Sequence, residues 1–167
     1  MAKILILGDT HLQKFEDLPK TLINEIQKAD WVIHTGDYTS IDVLNGFIKK
    51  KGENFQGVYG NADPLSIREN VPYKKIIQIQ SKKIGIIHPA KGGLLKNPIN
   101  RILLEFKDYK LDIIVYGHTH ESYIENSNGI LFINPGKGYI EENSFGSPAT
   151  FAILTIEKHI QAEIKKL

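Results

Sequence analysis

Short apolar runs alternate with helical periodicity in the first part of the chain. Lys3–Leu7 and Trp31–Thr35 are apolar runs of strand length that stop at a glycine, as expected for strands buried on both faces. Asp17–Lys28 and Ile41–Lys50 instead space their apolar residues at helical intervals, and Gln56–Tyr59 reads as a third strand. Strands and helices alternating with short connections predict right-handed βαβ units and a parallel sheet.

The second half of the chain mixes hairpin and helical patterns. Lys74–Gln80 and Lys83–His88 predict a hairpin, and Pro98–Lys107 predicts an amphipathic helix that begins at a proline. Leu111–Tyr116 is another buried strand, and it ends at Gly117. Further short strands are predicted at Ser122–Glu125, Ile130–Ile133, Thr150–Glu157 and Ile160–Lys165. These strands are too many for one thin sheet, so we expect two packed sheets with helices outside.

Length, charge and cysteine usage limit the function classes. A chain of 167 residues predicts one domain over residues 1–167. The net charge of +2 is too near balance to indicate a nucleic-acid or membrane partner. The absence of cysteine excludes disulfides and thiol catalysis. No apolar run approaches the ~20 residues of a membrane helix, and the first residues do not form a secretory signal. We therefore expect a cytoplasmic protein.

Side chains of metal-ligand type follow the predicted strands directly. Four strands end in a glycine that is followed by such a residue, and a fifth strand runs straight into one; the five residues are Asp9, Asp37, Asn61, His88 and His118. In open α/β sheets, ligands bind at the carboxyl ends of the strands. We therefore expect these residues along one rim, separated by ~5 Å per strand.

Two of these segments carry a second ligand-type residue at a spacing of two, His11 after Asp9 and His120 after His118. In an extended backbone, residues i and i+2 point to the same side, so both members of each pair can reach one centre. The seven oxygen and nitrogen donors suit hard or borderline divalent ions. Seven donors are too many for one tetrahedral ion and about right for two ions that share a carboxylate.

Each of these residues also has a structural interpretation. Asp9 and Asp37 are at positions where a helix N-cap is common, and Asn61 is at a typical turn position. For the remaining histidines, His34 and His159, we favour hydrogen-bonded core residues over ligands. Four of the six histidines nevertheless lie at the strand ends that supply the carboxylates. This conjunction favours a metal site.

Other common motifs are missing from the sequence. No G-x-G-x-x-G follows the first strand, no G-x-x-x-x-G-K-[ST] occurs, and no G-x-S-x-G is present. Basic residues are dispersed without interleaved aromatics, so a stable nucleic-acid complex is not expected. A phosphate-binding loop or a serine nucleophile is therefore not indicated.

Five short motifs occur in an order that resembles the calcineurin-like metallophosphoesterases, specifically their small YfcE-type phosphodiesterase branch. They are Gly8–His11 (GDTH), Gly36–Tyr38 (GDY), Gly60–Asp63 (GNAD), the strand-end His88 and Gly117–His120 (GHTH), and Asn134-Pro135-Gly136 follows a later strand. The resemblance implies an α/β fold, a four-layer α-β-β-α sandwich with two mixed β-sheets (metallo-dependent phosphatase-like).

The same resemblance implies a role for each motif residue. Asp9, His11 and His120 would bind a first metal, and Asn61, His88 and His118 a second, with Asp37 bridging the two. Asp37, Asn61 and His118 would be catalytic. The implied reaction is phosphodiester hydrolysis by a hydroxide bridging two divalent metal ions, with manganese expected first and iron, nickel or zinc also accepted. The implied partner is a small phosphoester substrate, contacted by Asn61 and weakly by Lys137.

Three positions depart from the family pattern. Ala62 stands where many larger relatives have a histidine that helps the leaving group. A proton donor is therefore missing, and we expect either a preference for good leaving groups or assistance by another residue. Pro89 replaces a common glycine, which predicts a different loop beside the second metal. Lys137 stands where serine is common, and we favour a solvated Lys137 over a phosphate contact.

The alternative function is a non-catalytic protein-interaction scaffold, because the small retromer subunit of eukaryotes resembles the same fold with an impaired metal site. All seven ligand positions here carry competent donors, which favours the enzyme. A nucleotide-binding regulatory domain is a more distant alternative. We expect the substrate-binding cleft to be lined by Tyr38, Asn70, Lys91 and Lys137. Homodimers are common among small relatives, and the sequence locates no dimer interface.

Overall fold

The computed structural model describes residues 1–90, 98–139 and 147–167. In this part of the chain, ten strands form two five-stranded sheets: β1 (Ala2–Leu7), β2 (Trp31–His34), β3 (Phe55–Gly57), β4 (Lys74–Ile79), β5 (Lys82–Ile87), β6 (Ile113–Tyr116), β7 (Tyr123–Ser127), β8 (Ile130–Asn134), β9 (Thr150–Ile156) and β10 (Ile160–Lys166). The α-helices are α1 (Lys20–Lys28), α2 (Ile41–Lys51), α3 (Leu65–Arg68) and α4 (Ile99–Glu105), and single 3-10 turns occur at Phe15–Asp17 and Gly52–Asn54.

The first sheet has the strand order β10-β9-β1-β2-β3. Strands β1, β2 and β3 are parallel, as the βαβ pattern predicts, whereas β9 and β10 are antiparallel additions. Leu7 pairs with His34, which in turn pairs with Gly57. This register aligns the carboxyl ends of the three parallel strands.

The second sheet has the order β4-β5-β6-β8-β7. Its central strands β5, β6 and β8 are parallel, and both edge strands are antiparallel to their neighbours. Ile87 pairs with Tyr116 at the ends of β5 and β6. The residues that follow these two strands therefore start side by side.

Alternating side chains of the central strands fill three separate apolar layers. On β1, Leu5 and Leu7 face α1 and α2, while Ile4 and Ile6 pack between the sheets. On β6, the even-numbered residues Ile114 and Tyr116 instead face α4. Helices, sheet, sheet and helix thus form a four-layer sandwich. The predicted architecture of two mixed sheets with helices outside is confirmed, and burial on both faces explains why these strands are continuous apolar runs.

Several element boundaries differ from the sequence-based prediction. The segment predicted as a helix from Asp17 is interrupted by Pro19, which has an extended ψ of 138°, so α1 begins at Lys20. The short helix α3 follows Pro64 and was not predicted. Proline before a helix needs no N–H donor there, so Pro19 and Pro64 are both suited to these starts. Within the described ranges, no helix has the length and apolar content needed to cross a membrane.

Candidate metal centre

The seven predicted ligands meet where the carboxyl ends of the two sheets adjoin. The prediction of a single rim is wrong, because Asp9, Asp37 and Asn61 follow strands of the first sheet, whereas His88 and His118 follow strands of the second. Packing the sheets face to face brings the two sets of strand ends together. The candidate centre therefore lies across the sandwich rather than along one sheet.

Asp9 connects the segments that follow β1, β2 and β6. It is fully buried, and its backbone N–H donates to Gly36 O at 2.9 Å. Its Oδ2 accepts from the backbone N–H of His118 at 3.1 Å. Its Oδ1 lies 3.2 Å from His120 Nε2 but has no hydrogen-bond partner among the described residues. One carboxylate oxygen is thus anchored and the other is available to a cation.

Asp37 lies between imidazoles of both predicted ligand sets. Its Oδ2 is 3.4 Å from His88 Nε2 and 3.6 Å from His11 Nε2, and its Oδ1 accepts from the Ala62 N–H at 2.8 Å. Burial opposes ionisation of Asp37, but the bonds from His88 and Ala62 outweigh it and lower the pKa of this carboxyl. Asp37 therefore presents an anionic oxygen to two histidine nitrogens.

The imidazole of His88 has one nitrogen fixed by the backbone. Its Nδ1 lies 2.8 Å from Thr35 O, and because a carbonyl oxygen only accepts, Nδ1 must carry a proton. Its Nε2 lies 3.1 Å from Asn61 Oδ1. Burial opposes protonation of His88, but Asp37, Asp9 and the Thr35 carbonyl outweigh it and raise the pKa of this imidazole. A cation at Nε2 would replace the proton there and leave Nδ1–H on the Thr35 carbonyl, an arrangement that metal-binding histidines usually show.

Pro89 does not displace His88 from the centre. The Ala90 N–H donates to His88 O at 2.8 Å, so the chain turns tightly about Pro89. The expectation of an altered loop concerns residues 91–97, which lie outside the described residues. With Pro89 in place of the glycine that is common in the family, His88 still lies at the candidate centre.

His118 and His120 approach the centre from the segment after β6. The ring centroid of His118 is 5.1 Å from that of His88, and that of His120 is 5.6 Å from that of His11. The adjacent carboxylate of Asp9 raises the pKa of His120, whereas burial lowers the pKa of His118. Because metal binding needs neutral imidazoles, protons compete with a cation for these nitrogens.

Five of the seven predicted ligands have left-handed backbone conformations. Their φ values are 49° at Asp9, 46° at His11, 60° at Asp37, 82° at His118 and 61° at His120. The prediction that the Asp9–His11 and His118–His120 pairs are extended is therefore wrong. Residues with a side chain adopt such φ values at a cost of roughly 1–2 kcal/mol each. Strain of this kind persists where the surrounding structure fixes it, and it concentrates at functional sites.

The donor atoms are suited to a divalent cation. Two clusters have ligand atoms that all lie within 4.8 Å of one another: Asp9, His11 and His120, and Asp9, Asp37 and His88. The first cluster coincides with the first predicted ligand set. The second shares only His88 with the second predicted set, and Asp9, rather than the predicted bridge Asp37, is common to both clusters. The Nε2 of His11, like the Oδ1 of Asp9, is buried without a hydrogen-bond partner among the described residues. Carboxylate and imidazole donors with no sulfur match manganese, iron, nickel or zinc.

Asp63 is an important residue of this centre whose role was not predicted. It is almost fully buried, and its carboxylate accepts backbone N–H bonds from Asp37 at 2.9 Å, Thr39 at 2.8 Å and Gly60 at 2.7 Å. Burial raises the pKa of Asp63, and the three N–H donors partly offset this effect. Its position at the end of GNAD was the available signal, but only the fold reveals its partners.

The two remaining histidines differ from each other. His34 is fully buried and hydrogen-bonded, which agrees with its predicted core role. His159 is exposed in the turn between β9 and β10, so its predicted core role is wrong. The sequence pattern placed His159 correctly at a hairpin turn, where the fold provides no layer to cover it.

Lys137 is buried, with 5% of its surface exposed, so the solvated interpretation is wrong. Its Nζ lies 5.1 Å from the ring centroid of Tyr139, which is 5.3 Å from that of His11 and 6.1 Å from that of His120. Tyr139 was not predicted as a site residue. The segment is fixed to β1 because the Gly138 N–H donates to Gly8 O at 2.9 Å.

The other residues proposed for the cleft do not all lie there. Tyr38 is fully buried and stacks on His34 with a centroid distance of 3.8 Å, so it is a core residue and the prediction is wrong. Asn70 is exposed and donates to Ser66 O at 2.7 Å. Lys91 lies outside the described residues.

This fold and this cluster of carboxylates and imidazoles define a metal-dependent phosphoesterase class. A profile of the calcineurin-like phosphoesterase superfamily domain matches residues 2–159. The chain belongs to this superfamily, and its metallophosphoesterase relatives agree with the predicted small phosphodiesterase branch.

Two curated relatives come from Methanocaldococcus jannaschii. The probable metallophosphoesterase MJ0623 is 34% identical over 134 residues, which cover 78% of this chain and 65% of that protein. The phosphodiesterase MJ0936 is 31% identical, and the match covers 97% of this chain and 98% of that protein. This chain therefore spans less than two thirds of the first relative but almost all of the second.

Solved structures show the same fold. The Thermotoga maritima protein TM1076 has a TM-score of 0.75 and 27% identity, with all of both chains covered. Vps29 from Entamoeba histolytica, solved in complex with zinc, has a TM-score of 0.74 and 18% identity, and 98% of each chain is covered. The likeness to Vps29 shows the fold alone.

Proposed function

We propose that this chain is a binuclear metal-dependent phosphodiesterase. The observation that carries the proposal is the pair of ligand clusters joined at Asp9. When bound, a pair of divalent ions supplies an activated water nucleophile and neutralises charge on the phosphoryl oxygens. The relative MJ0936, which matches along nearly its whole length, is described as a phosphodiesterase. We propose manganese as the preferred metal.

The side chains would divide into two ligand sets. Asp9, His11 and His120 would hold one ion, and Asn61, His88 and His118 the other. Asp37 would bridge them, and its Oδ2 lies near His11 of one set and His88 of the other, which supports this role.

The proposed catalytic residues are Asp37, Asn61 and His118. Neighbouring groups position Asp37 and the proposed ligand His88. The Thr35 carbonyl orients His88, and Asp63 fixes the backbone of Asp37. The Ala62 N–H holds Asp37 Oδ1, but its methyl side chain offers no acid for the leaving group. We therefore propose that phosphodiesters with good leaving groups react fastest.

Asn61 and Lys137 are the proposed substrate contacts. The Asn61 side chain is exposed at the centre, beside His88. Burial of Lys137 next to Tyr139, which itself packs on two proposed ligands, supports a role for its ammonium near the phosphoryl group. A lysine in this position would attract the anionic ester and hold it against the cluster.

A protein-interaction scaffold, the alternative that the resemblance to the small retromer subunit implies, is the second candidate. Solved structures of Vps29, a vacuolar protein sorting protein, share the fold. The Entamoeba Vps29 was solved with zinc, so metal binding alone does not separate the two functions. Phosphodiester hydrolysis, and its loss when ligand residues are replaced, would distinguish the enzyme from the scaffold.

The test combines metal analysis with an activity screen. The purified protein is loaded separately with manganese, iron, nickel and zinc, and assayed on a bis-aryl phosphodiester and the matching aryl monoester. We expect about two manganese ions per chain, faster diester hydrolysis, and loss of activity in His118→Ala and His120→Ala. His159→Ala, which changes an exposed histidine, is the matched control and should behave as wild type.

Two results would overturn the proposal. Zero or one metal ion per chain after loading would exclude a binuclear centre. An absence of hydrolysis with all four metals would favour the scaffold, in which case both ligand variants should leave partner binding unchanged.

A further inference from the structure

The buried imidazole of His34 joins the two loops that carry the carboxylate ligands. His34 ends β2 and has no exposed surface. Its Nε2 lies 3.1 Å from Thr10 Oγ1, between Asp9 and His11 in the chain. Its Nδ1 accepts from the backbone N–H of Gly36, directly before Asp37, at 3.1 Å. One ring therefore hydrogen-bonds to the chain neighbours of three proposed ligands, Asp9, His11 and Asp37.

These bonds select one tautomer of His34. The Gly36 N–H can only donate, so Nδ1 must be unprotonated, and the neutral ring then carries its proton on Nε2. That proton is directed to Thr10 Oγ1. Protonating Nδ1 would place two donors against each other. Burial lowers the pKa of His34 well below its usual range, which keeps the ring neutral.

Both loops joined in this way have strained backbone conformations. Asp9, His11 and Asp37 all have positive φ, and φ at Gly36 is +104°, where a Cβ atom would lie 2.7 Å from Gly60 N. Conformations of this kind revert unless neighbouring groups hold them. His34 is itself held by stacking on Tyr38 at 3.8 Å and by an edge contact with Phe47 at 5.3 Å.

We propose that His34 is a positioning residue, whose Nε2–H tautomer fixes the backbone at Thr10 and Gly36 and thereby sets the distance between Asp9, His11 and Asp37. Its effect on metal binding rests on the proposed function, whereas its tautomer and its two bonds do not. A group of this kind, which orients ligands without touching the metal, typically contributes 10–100-fold to metal affinity.

The first experiment reads the tautomer in the metal-free protein. Nitrogen-15 NMR of the labelled imidazoles should show His34 with a protonated Nε2 and an unprotonated Nδ1 at neutral pH. An Nδ1–H tautomer or an imidazolium ring in the folded protein would overturn the proposal. This measurement does not depend on whether the protein binds metal or hydrolyses anything.

The second experiment separates the two hydrogen bonds by substitution. His34→Phe keeps a flat ring against Tyr38 but removes both bonds, and it should weaken metal affinity about 10–100-fold. His34→Asn can keep the acceptor for Gly36, and His34→Gln can keep the donor for Thr10, so each should recover part of the affinity. Tyr38→Phe preserves the stacked ring and is the control, with wild-type affinity expected.

The outcomes distinguish this proposal from the proposed function. Wild-type metal affinity in folded His34→Phe would overturn the positioning role. If His34→Phe does not fold, the Asn and Gln variants decide, and wild-type affinity in both would also overturn it. If the wild-type protein itself binds no metal, the proposed function fails, while the tautomer and the amide shifts of Thr10 and Gly36 in these variants still test the role of His34.

Discussion

The carboxylate of Asp63 accepts the backbone N–H of Asp37, with 2.9 Å between Oδ2 and N. The same Oδ2 accepts from Gly60, and Oδ1 accepts from Thr39. A single buried side chain thus satisfies three donors on the loops after β2 and β3. Because Asp37 has a strained backbone, these bonds supply part of the force that keeps it in place.

Asp63→Asn should weaken metal binding and lower stability. An amide has one acceptor oxygen, and its NH2 group would face a backbone donor, so at least one buried N–H loses its partner at a cost of about 1–3 kcal/mol. We also expect a 10–100-fold loss of metal affinity. Thermal unfolding of the metal-free protein and a metal titration measure the two effects, with the exposed Asp17→Asn as control. Unchanged values for both would contradict the anchoring role.

Asp37→Asn should lose metal occupancy and at least about two orders of magnitude in hydrolysis rate, since the bridging carboxylate would become a neutral amide. Elemental analysis of the loaded variant and steady-state kinetics on a phosphodiester are the measurements. Asp17→Asn again controls for a charge change elsewhere. Near-normal turnover in a folded Asp37→Asn protein would assign the bridge to another residue, and Asp9 would be the first candidate.

Hydrolysis should depend steeply on the pKa of the leaving group, because Ala62 cannot protonate the departing oxygen. A series of aryl phosphodiesters measures this slope. Ala62 is exposed, and its backbone N–H holds Asp37, so Ala62→His changes only the side chain and should make the slope shallower. A flat slope in the wild type, with chemistry rate-limiting, would show that another group donates the proton.

Asp112 should contribute a pH-dependent part of the stability. Its Oδ2 accepts from the Lys83 N–H at 2.9 Å, and its Oδ1 lies 3.4 Å from Lys82 Nζ. The bond from Lys83, together with Lys82, lowers the pKa of Asp112. Since the folded pKa lies below the unfolded one, the stabilisation is present above about pH 4 and is lost as pH falls through the folded pKa.

Asp112→Asn keeps the shape of the side chain and an acceptor oxygen, so it removes only the part of the stabilisation that is due to the negative charge. We expect a loss of about 0.5–1 kcal/mol at pH 7, given the partly exposed pair. The difference from wild type should shrink below about pH 4. Urea unfolding of the metal-free protein across this range measures it, with the exposed Asp108→Asn as control. A difference that does not vary with pH would contradict the charge assignment.

The linear order of residues determined which side chains meet at the centre. Each ligand follows a buried strand, and strands buried on both faces are recognisable as unbroken apolar runs such as Lys3–Leu7. The alternation of Leu5 and Leu7 with Ile4 and Ile6 on two opposite faces also follows from the strand period of two. The four-layer arrangement was therefore predictable, since three apolar layers need four layers of structure.

Tertiary packing alone decided how those side chains are held. A strand end does not reveal its sheet, so the division of Asp37 and His88 between two sheets was not readable from the pattern. Left-handed φ at Asp9 and His120 opposes local preference and exists because long-range bonds outweigh its cost. The burial of Lys137 and the bonds that Asp63 accepts from Asp37 and Thr39 depend on segments far away in the chain. Local sequence patterns show the periodicity of strands and helices. Backbone strain at the ligands and the long-range hydrogen bonds of buried polar groups arise only when distant segments pack together.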